Sequence, residues 1–283
     1  SGNENMTFTS ALTIGAGGYN CPVSRVITEV HNEPHRDDDH FCGGYREYWD
    51  DVEGLGGEEG PIEIHFIDEV LPGYFWLFPV QGNRVNVGIG MLISEHRKLK
   101  GDKKKSLKKI QKWVINEHPR FKERFANATL VPGSEKGWQL PFGSPRKKSP
   151  YPFQPRRAAM AGALCVGDAA SLVDPFSGEG IGNALLSAKL TSTHFNKDLH
   201  KDGFPEDAAI EYMNELWGAL GSELTNSKTL QKVMKWKLLT NWFVKKASKK
   251  EEIGKMMSEM IASKESQKIL WSPWFLMKTL LLP

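Results

Sequence analysis

The stretch Ala163 to Ala184, reading ALCVGDAASLVDPFSGEGIGNA, constrains the fold more than any other part of the chain. Ala163, Leu164, Cys165 and Val166 are apolar on both faces, the pattern of a strand inside a parallel sheet. Gly167-Asp168 follow at its carboxyl end, where ligands of α/β folds collect. A Pro/Gly-rich loop then leads into a helix. Asp168 is placed to accept hydrogen bonds from sugar-like hydroxyls, Pro175 stiffens the loop, and Gly178, Gly180 and Gly182 leave room for a flat group to press on the backbone. The helix that opens near Ile181 is expected to offer free N–H groups and the positive end of its dipole to negative charge. A strand, an aspartate and three spaced glycines in one order are more specific than a lone glycine repeat. The plainer alternative is a loop that merely ends a strand.

A second segment lies near the start. Ala11 to Ile14 read as a buried strand leading into Gly15-Ala16-Gly17-Gly18-Tyr19-Asn20-Cys21-Pro22-Val23-Ser24-Arg25. Taken alone, those glycines are equally compatible with an ordinary loop.

The segment around Gly167-Asp168 resembles the Gly-Asp flavin motif of FAD-dependent oxidoreductases with the p-hydroxybenzoate hydroxylase type of fold, in particular the geranylgeranyl reductase family. The resemblance implies FAD as cofactor, with Asp168 on the ribityl chain. It implies that the run Pro175, Phe176, Ser177, Gly178, Glu179, Gly180 lies beside the isoalloxazine, with Gly167, Ile181 and Gly182 completing that wall. The segment near the start is similar to the family's second fingerprint, Gly-Ala-Asp-Gly-x-x-Ser-x-Val-x-Arg. Gly15, Gly18, Val23 and Arg25 match, so Gly15, Gly18 and Arg25 are expected at the FAD seat. Gly17 stands where the pattern has Asp and Cys21 where it has Ser. In related hydroxylases that aspartate is tied to nicotinamide-cofactor use, so the electron donor stays open between NADPH and ferredoxin. Proteins of this kind begin with a strand, a Gly-x-Gly-x-x-Gly turn and a helix. No copy fits ahead of Ala11, and the chain reads as the carboxyl-terminal portion of a larger enzyme. A missing amino-terminal dinucleotide-binding segment is therefore an expected partner, without which FAD would be held weakly and a sheet edge left open.

From Pro61 the apolar period becomes two. Ile62, Ile64 and Phe66 alternate with Glu63 and His65, Gly73 to Val80 follows, and Val85, Val87, Ile89 and Met91 alternate with Asn86, Gly88 and Gly90. This is an antiparallel meander whose last hairpin turns at Gln81-Gly82-Asn83. Tyr74, Trp76 and Phe78 share one face of the middle strand, and Phe75 and Leu77 the other. The run Pro72-Gly73-Tyr74-Phe75-Trp76-Leu77-Phe78-Pro79 is similar to the geranylgeranyl reductase motif Pro-x-x-Tyr-x-Trp-x-Phe-Pro, one residue shorter between the first proline and the tyrosine. The resemblance implies that Tyr74, Trp76 and Phe78 line a substrate wall. Tyr74 is also the candidate catalytic proton donor. An aromatic core strand without a ligand is the plainer reading.

The expected architecture is mixed α/β: a partial FAD/NAD(P)-binding Rossmann-like domain with an inserted antiparallel β substrate domain and a carboxyl-terminal helical region. Residues 1–30 and 156–200 form the FAD-binding parts, 31–155 the substrate domain and 201–283 the helical region. Helices are predicted over Lys103–His118, Gly182–Asn196, Glu206–Asn226, Lys228–Ala247 and Lys250–Ser263, with a returning strand over Trp138–Phe142. The polar run HNEPHRDDDH, His31 to His40, lacks zinc spacing and is broken by Pro34, so it reads as a hydrated loop and no metal is expected.

At 283 residues with 40% hydrophobic and 25% charged residues, the chain has enough apolar material for one or two cores. A net charge of +3 gives no support for nucleic-acid binding. Cys21, Cys42 and Cys165 are odd in number and lack metal spacing, which suits a reducing cytoplasm. Between Lys228 and Lys255 stand nine lysines against two glutamates, interleaved with Trp236, Trp242 and Phe243 and followed by Trp271, Trp274 and Phe275. Peripheral contact of 228–283 with an anionic membrane is one reading and a solvated helical face the other. Ile269 to Pro283 is too short and too interrupted to span. The expected function is FAD-dependent reduction of isoprenoid, geranylgeranyl-type double bonds of a lipid or pigment precursor, on an isoprenoid or other long-chain apolar substrate. The alternatives are a flavin-dependent aromatic monooxygenase or halogenase, and a non-enzymatic prenyl-lipid or prenyl-protein carrier on a related fold.

Overall fold

The computed structural model describes residues 6–55, 59–99, 105–146 and 156–236, together with 238, 241 and 245. In chain order it contains β1 (Thr13–Gly15), α1 (Pro22–Val30), β2 (Phe41–Asp50), β3 (Glu63–His65), β4 (Tyr74–Pro79), β5 (Arg84–Leu92), α2 (Ile93–Lys98) and α3 (Leu107–Asn116). There follow β6 (Thr129–Leu130), β7 (Lys136–Pro141), β8 (Ala159–Met160), β9 (Ala163–Cys165), α4 (Ile181–His194) and α5 (Glu206–Val233). The described residues fall into two units, one of 6–35, 141–146 and 156–229, the other of 36–140 and the described residues from 230 on.

The first unit is built on a three-stranded sheet in the order β1-β9-β8. β9 is the inner strand, and all three of its residues are buried, as an apolar run between two neighbours requires. It runs parallel to β1, in the register Thr13↔Ala163, Ile14↔Leu164, Gly15↔Cys165, and antiparallel to β8. The β8 partner was not anticipated. It arises from a tight return in which Gly162, at φ 75°, occupies the left-handed region. The strand expected over Ala11–Ile14 is shifted to Thr13–Gly15, and of its three residues Gly15 alone is buried. β1 pairs on one side alone, so Ile14 stays 51% exposed. Helix α5 closes the core with Tyr212, Met213, Leu216, Leu220 and Leu224, and Tyr212 Oη donates to the Cys165 carbonyl at 2.9 Å. The break expected after Asn226 does not occur. Thr225 and Thr229 turn their hydroxyls back onto the carbonyls of Gly221 and Thr225, at 2.7 and 3.0 Å, and Ser227 is buried, so these weak helix formers are accommodated within one helix.

The second unit is an antiparallel sheet in the order β3-β4-β5-β2-β6, with β7 also paired to β2. Phe75, Leu77, Val85, Val87 and Ile89 point to one face, where Ile110 and Val114 of α3 cover them along with Phe121 and Phe125. Ser106 caps α3 by accepting from the Lys109 N–H at 3.4 Å, so the helix starts at Leu107 rather than Lys103. β2 was missed in the sequence because Gly43, Gly44, Arg46 and Glu47 obscure its alternation. Glu47 is buried on that strand and accepts from Tyr45 Oη, Trp49 Nε1 and Gln111 Nε2 at 2.8, 3.0 and 3.1 Å.

β3 corrects the expected sidedness. The register Glu63↔Leu77 and His65↔Phe75 puts the two polar residues on the core face. His65 packs edge-on to Phe121 at 4.8 Å, and Glu63 accepts from His65 and from both terminal nitrogens of Arg124. Ile64 shares the opposite face with Trp76, while Ile62 is 69% exposed. The His31–His40 run is also more structured than a hydrated loop. His40 is buried and bonded to Asp37 at 3.0 Å, and His31 bonds the Ile27 carbonyl at 2.8 Å. The helix expected over 250–263, most of that over 228–247 and the aromatic carboxyl-terminal stretch lie outside the described residues. Among the described residues, no helix is long and apolar enough to cross a membrane.

Candidate functional site

The parallel pairing of β1 with β9 brings together two motifs that are far apart in sequence. Gly15 lies beside Cys165, and the Val166 N–H donates to the Gly15 carbonyl at 3.0 Å, so both strands release their loops at the same carboxyl edge. Gly15 is there for want of room. A Cβ on it would sit 2.8 Å from Cys165 Sγ and 2.9 Å from both Cys21 Sγ and Val23 Cβ. Its role in the structure is close packing, and the cofactor contact expected of it is a separate matter. Burial, and then the neighbouring Cys21, push the Cys165 thiol up to about 12, so it stays protonated. Gly18 begins a short turn at φ 70°, and Arg25 stands on the exposed side of α1.

After β9, residues Gly167–Ala170 form a single 3-10 turn. Gly167 takes φ 56°, and a Cβ there would come within 3.0 Å of Ala184, so a side chain would push α4 away. Its N–H donates to Ser187 Oγ at 3.0 Å. Asp168 follows. Burial alone raises its pKa, and no hydrogen bond to its carboxylate offsets that. A Cβ on Gly180 would lie 3.5 Å from Asp168 Oδ1, so this glycine keeps the carboxylate's surroundings open.

The loop between them is organised by a residue whose part was not foreseen. Asp174, 3% exposed, accepts from the N–H groups of Phe176 and Ser177 and from Ser177 Oγ, at 2.9, 2.7 and 2.9 Å. Its own N–H donates to the Glu179 carbonyl at 2.7 Å. The Asp-Pro pair was the available signal, since aspartate ahead of proline commonly starts such turns. Pro175 is buried in that turn and Gly178 crosses it at φ 75°.

The α4 amino terminus departs from expectation. Glu179 Oε1 accepts from the Gly182 N–H at 2.7 Å, so a carboxylate of the chain already occupies a donor that was expected to be free. Ile181 and Leu185, one turn apart, remain 78% and 68% exposed on this helix.

In the second unit, Tyr74, Trp76 and Phe78 form one continuous, half-buried aromatic face. Ring centroids are 5.9 Å apart for Tyr74–Trp76 and 6.0 Å for Trp76–Phe78, and Phe66 extends the row at 6.4 Å from Tyr74. The register sets these side chains opposite Gly90, Gly88 and Asn86 of β5. Trp76 lies flat across Gly88, where a Cβ would fall 2.0 Å from the indole, and its Nε1 donates to Asn86 Oδ1 at 3.0 Å. Gly88 and Asn86 were not singled out in the sequence. A glycine inside an otherwise Val/Ile-rich strand was the signal, since it marks a close approach.

Comparison with known proteins turns on this second unit. The family model for the geranylgeranyl reductase catalytic domain matches residues 44–129, inside the antiparallel sheet. Digeranylgeranylglycerophospholipid reductase 2 of Methanococcoides burtonii is 30% identical over 220 residues, 77% of this chain and 47% of its own. The chain resembles the geranylgeranyl reductase family. The digeranylgeranylglycerophospholipid reductase of Methanococcus aeolicus is 29% identical over 179 residues, 62% of this chain and 40% of that protein. The chain thus spans less than half the length of these two curated relatives. Among solved structures, a geranylgeranyl bacteriochlorophyll reductase-like protein from Thermoplasma acidophilum superposes with a TM-score of 0.65 at 16% identity, covering 82% of this chain and 53% of that one. The flavin-dependent halogenase CmlS gives 0.56 at 17% identity, covering 79% and 37%. At these identities the likeness is one of fold, a mixed α/β architecture shared with both structures.

The chain's own residues suit FAD. A half-buried carboxylate that receives no hydrogen bond among the described residues matches a ligand carrying hydroxyl donors such as the ribityl chain. Glu179, already bonded to the Gly182 N–H, opposes an anionic ring edge at the α4 terminus.

Proposed function

We propose that this chain carries the flavin seat and the substrate wall of an FAD-dependent oxidoreductase that reduces isoprenoid double bonds of a lipid or pigment precursor. The observation that carries the reading is Asp168, half-buried at the carboxyl end of β9 and, among the described residues, without a donor to its carboxylate. Bound FAD, once reduced, supplies hydride to one alkene carbon. The chain's part is to bind, orient and deliver a proton. Asp168 accepts the ribityl hydroxyls. Gly178, Gly180 and Gly182 let the ring approach the backbone, with Gly15, Gly18 and Arg25 on the adjoining loop. Tyr74, Trp76 and Phe78 offer an apolar face suited to a long hydrocarbon, and the Tyr74 phenol supplies the proton for the second alkene carbon. Digeranylgeranylglycerophospholipid reduction, named for the relatives, sets the substrate class that we favour.

An assay under anaerobic conditions tests this. Alkene reduction is expected to proceed with chemically reduced FAD in the absence of oxygen. A strict requirement for oxygen would favour the monooxygenase or halogenase reading, and isoprenoid binding with no uptake of FAD, even after the missing amino-terminal region is restored, would favour the carrier. A dinucleotide-binding segment is the partner proposed to complete the seat, with NADPH or ferredoxin as electron source. We further propose peripheral membrane contact through residues 228–283, based on the lysine and tryptophan pattern. It predicts co-sedimentation with anionic but not neutral vesicles, and equal binding to both would count against it.

A further inference from the structure

Arg156 is the largest fully enclosed side chain among the described residues, 1% exposed. Its Nη1 donates to the His35 carbonyl at 2.8 Å, and its Nη2 to Ser24 Oγ at 2.8 Å and the Ala169 carbonyl at 2.9 Å, while Nε makes no hydrogen bond. No carboxylate is among its acceptors. Glu33 lies near enough to favour the charged form, but its Oε2 accepts from the Arg157 N–H at 2.8 Å. The surroundings are themselves positive. His35 is pushed down to about 4, first by burial and then by Arg156 and Arg25. Arg156 is lowered to about 10 by burial and then by Arg146, so it remains charged at neutral pH.

A buried cation without a carboxylate is costly, and such groups persist where they hold something in place or meet an incoming charge. The Nη2 bonds show what is held. Ser24 sits between Val23 and Arg25 of the first fingerprint, and Ala169 is the residue after Asp168 of the second. One guanidinium therefore spans the two motifs behind the loops that carry them. Nη2 alone holds the acceptors on both motifs, and Nη1 on the His35 carbonyl fixes where Nη2 stands, a planar two-nitrogen geometry that a point ammonium lacks.

We propose that Arg156 is a positioning residue for the flavin seat. It fixes the spacing of the two fingerprints and supplies a positive charge, unpaired with any carboxylate, that favours the electron-rich reduced flavin. This rests on the FAD reading above. The test uses the full chain, wild type and the variants Arg156→Lys and Arg156→Met, with FAD affinity from quenching of flavin fluorescence. The two-electron midpoint potential is taken at saturating FAD, with dithionite as reductant and a reference dye.

Arg156→Met is expected to weaken FAD binding at least tenfold and to lower the preference for the reduced over the oxidised form by about tenfold, about 30 mV for a two-electron couple. Arg156→Lys keeps the charge but not the fork, so the potential is expected to recover while affinity stays reduced. Should Arg156→Met fail to fold, the lysine variant decides alone: weakened binding at the wild-type potential supports the proposal. An unchanged potential in Arg156→Met, or wild-type affinity in Arg156→Lys, overturns it. Failure of the wild-type chain to bind FAD even with the dinucleotide-binding segment restored overturns the FAD reading, and this proposal with it.

Discussion

The Asp168 carboxyl is half-buried and receives no hydrogen bond among the described residues, so burial raises its pKa above the ordinary carboxylate value. In the flavin-free chain the folded state then holds this proton more tightly than the unfolded state does. Stability is greatest while the group is protonated in both states. It falls as pH rises from the unfolded pKa, about 4, to the raised folded one. Asp168→Asn has no such titration. The wild-type stability measured relative to this variant by urea denaturation is expected to decline across that window and level off above it. A difference that is flat with pH would remove the basis for calling the carboxylate desolvated. With FAD present the sign of the same residue's contribution reverses, since ribityl hydroxyls supply the donors. Asp168→Ala is expected to weaken FAD binding by roughly 1 to 3 kcal/mol, about 5- to 150-fold in Kd, read by fluorescence titration. Equal affinity in the two proteins would dissociate Asp168 from the cofactor.

Among the elements, the β4–β5 hairpin makes the sharpest demand on sequence. Trp76 lies across Gly88, and a methyl group there would overlap the indole at 2.0 Å, whereas at Gly90 the nearest atoms, Cys42 Sγ and a Trp76 carbon, are 3.4 and 3.7 Å away. Gly88→Ala is therefore expected to displace Trp76, break its bond to Asn86 and cost about 1 to 3 kcal/mol, while Gly90→Ala costs under about 1. Urea denaturation gives the two energies, and a red shift of tryptophan emission in Gly88→Ala alone reports the displaced ring. Equal effects at both positions would mean that the ring does not rest on Gly88. The strands of this hairpin were legible because Val85, Val87, Ile89 and Met91 alternate cleanly. The sidedness of β3 was not, because it is fixed by the cross-strand register His65↔Phe75 rather than by the hydrophobicity of Ile62 or Ile64. β2 escaped for a related reason. Glu47 reads as a surface residue until Tyr45, Trp49 and Gln111 supply its three donors, and Gln111 comes from α3, far along the chain.

For the whole molecule, both cofactor fingerprints were legible as motifs, since each is a local run of glycines after an apolar strand. What joins them was not, because the β1–β9 pairing and the Arg156 fork are long-range and leave no periodic trace. The same pairing implies how the molecule responds to ligand. Every residue assigned to the flavin seat belongs to the first unit, while the aromatic face belongs to the second. FAD at 100 times its Kd stabilises whatever binds it by about 2.7 kcal/mol. That stabilisation is expected to appear as slowed amide exchange over residues 15–25 and 167–182 and over strands β1 and β9. Exchange in β4 and β5, whose amides are protected by their own antiparallel ladder, should change little. Hydrogen exchange with and without FAD separates the possibilities. Protection confined to the first unit supports a seat built from the two fingerprints. Protection centred on Tyr74–Phe78 would mean that the flavin rests on the wall assigned to the hydrocarbon, and the division of roles between the two units would have to be reversed.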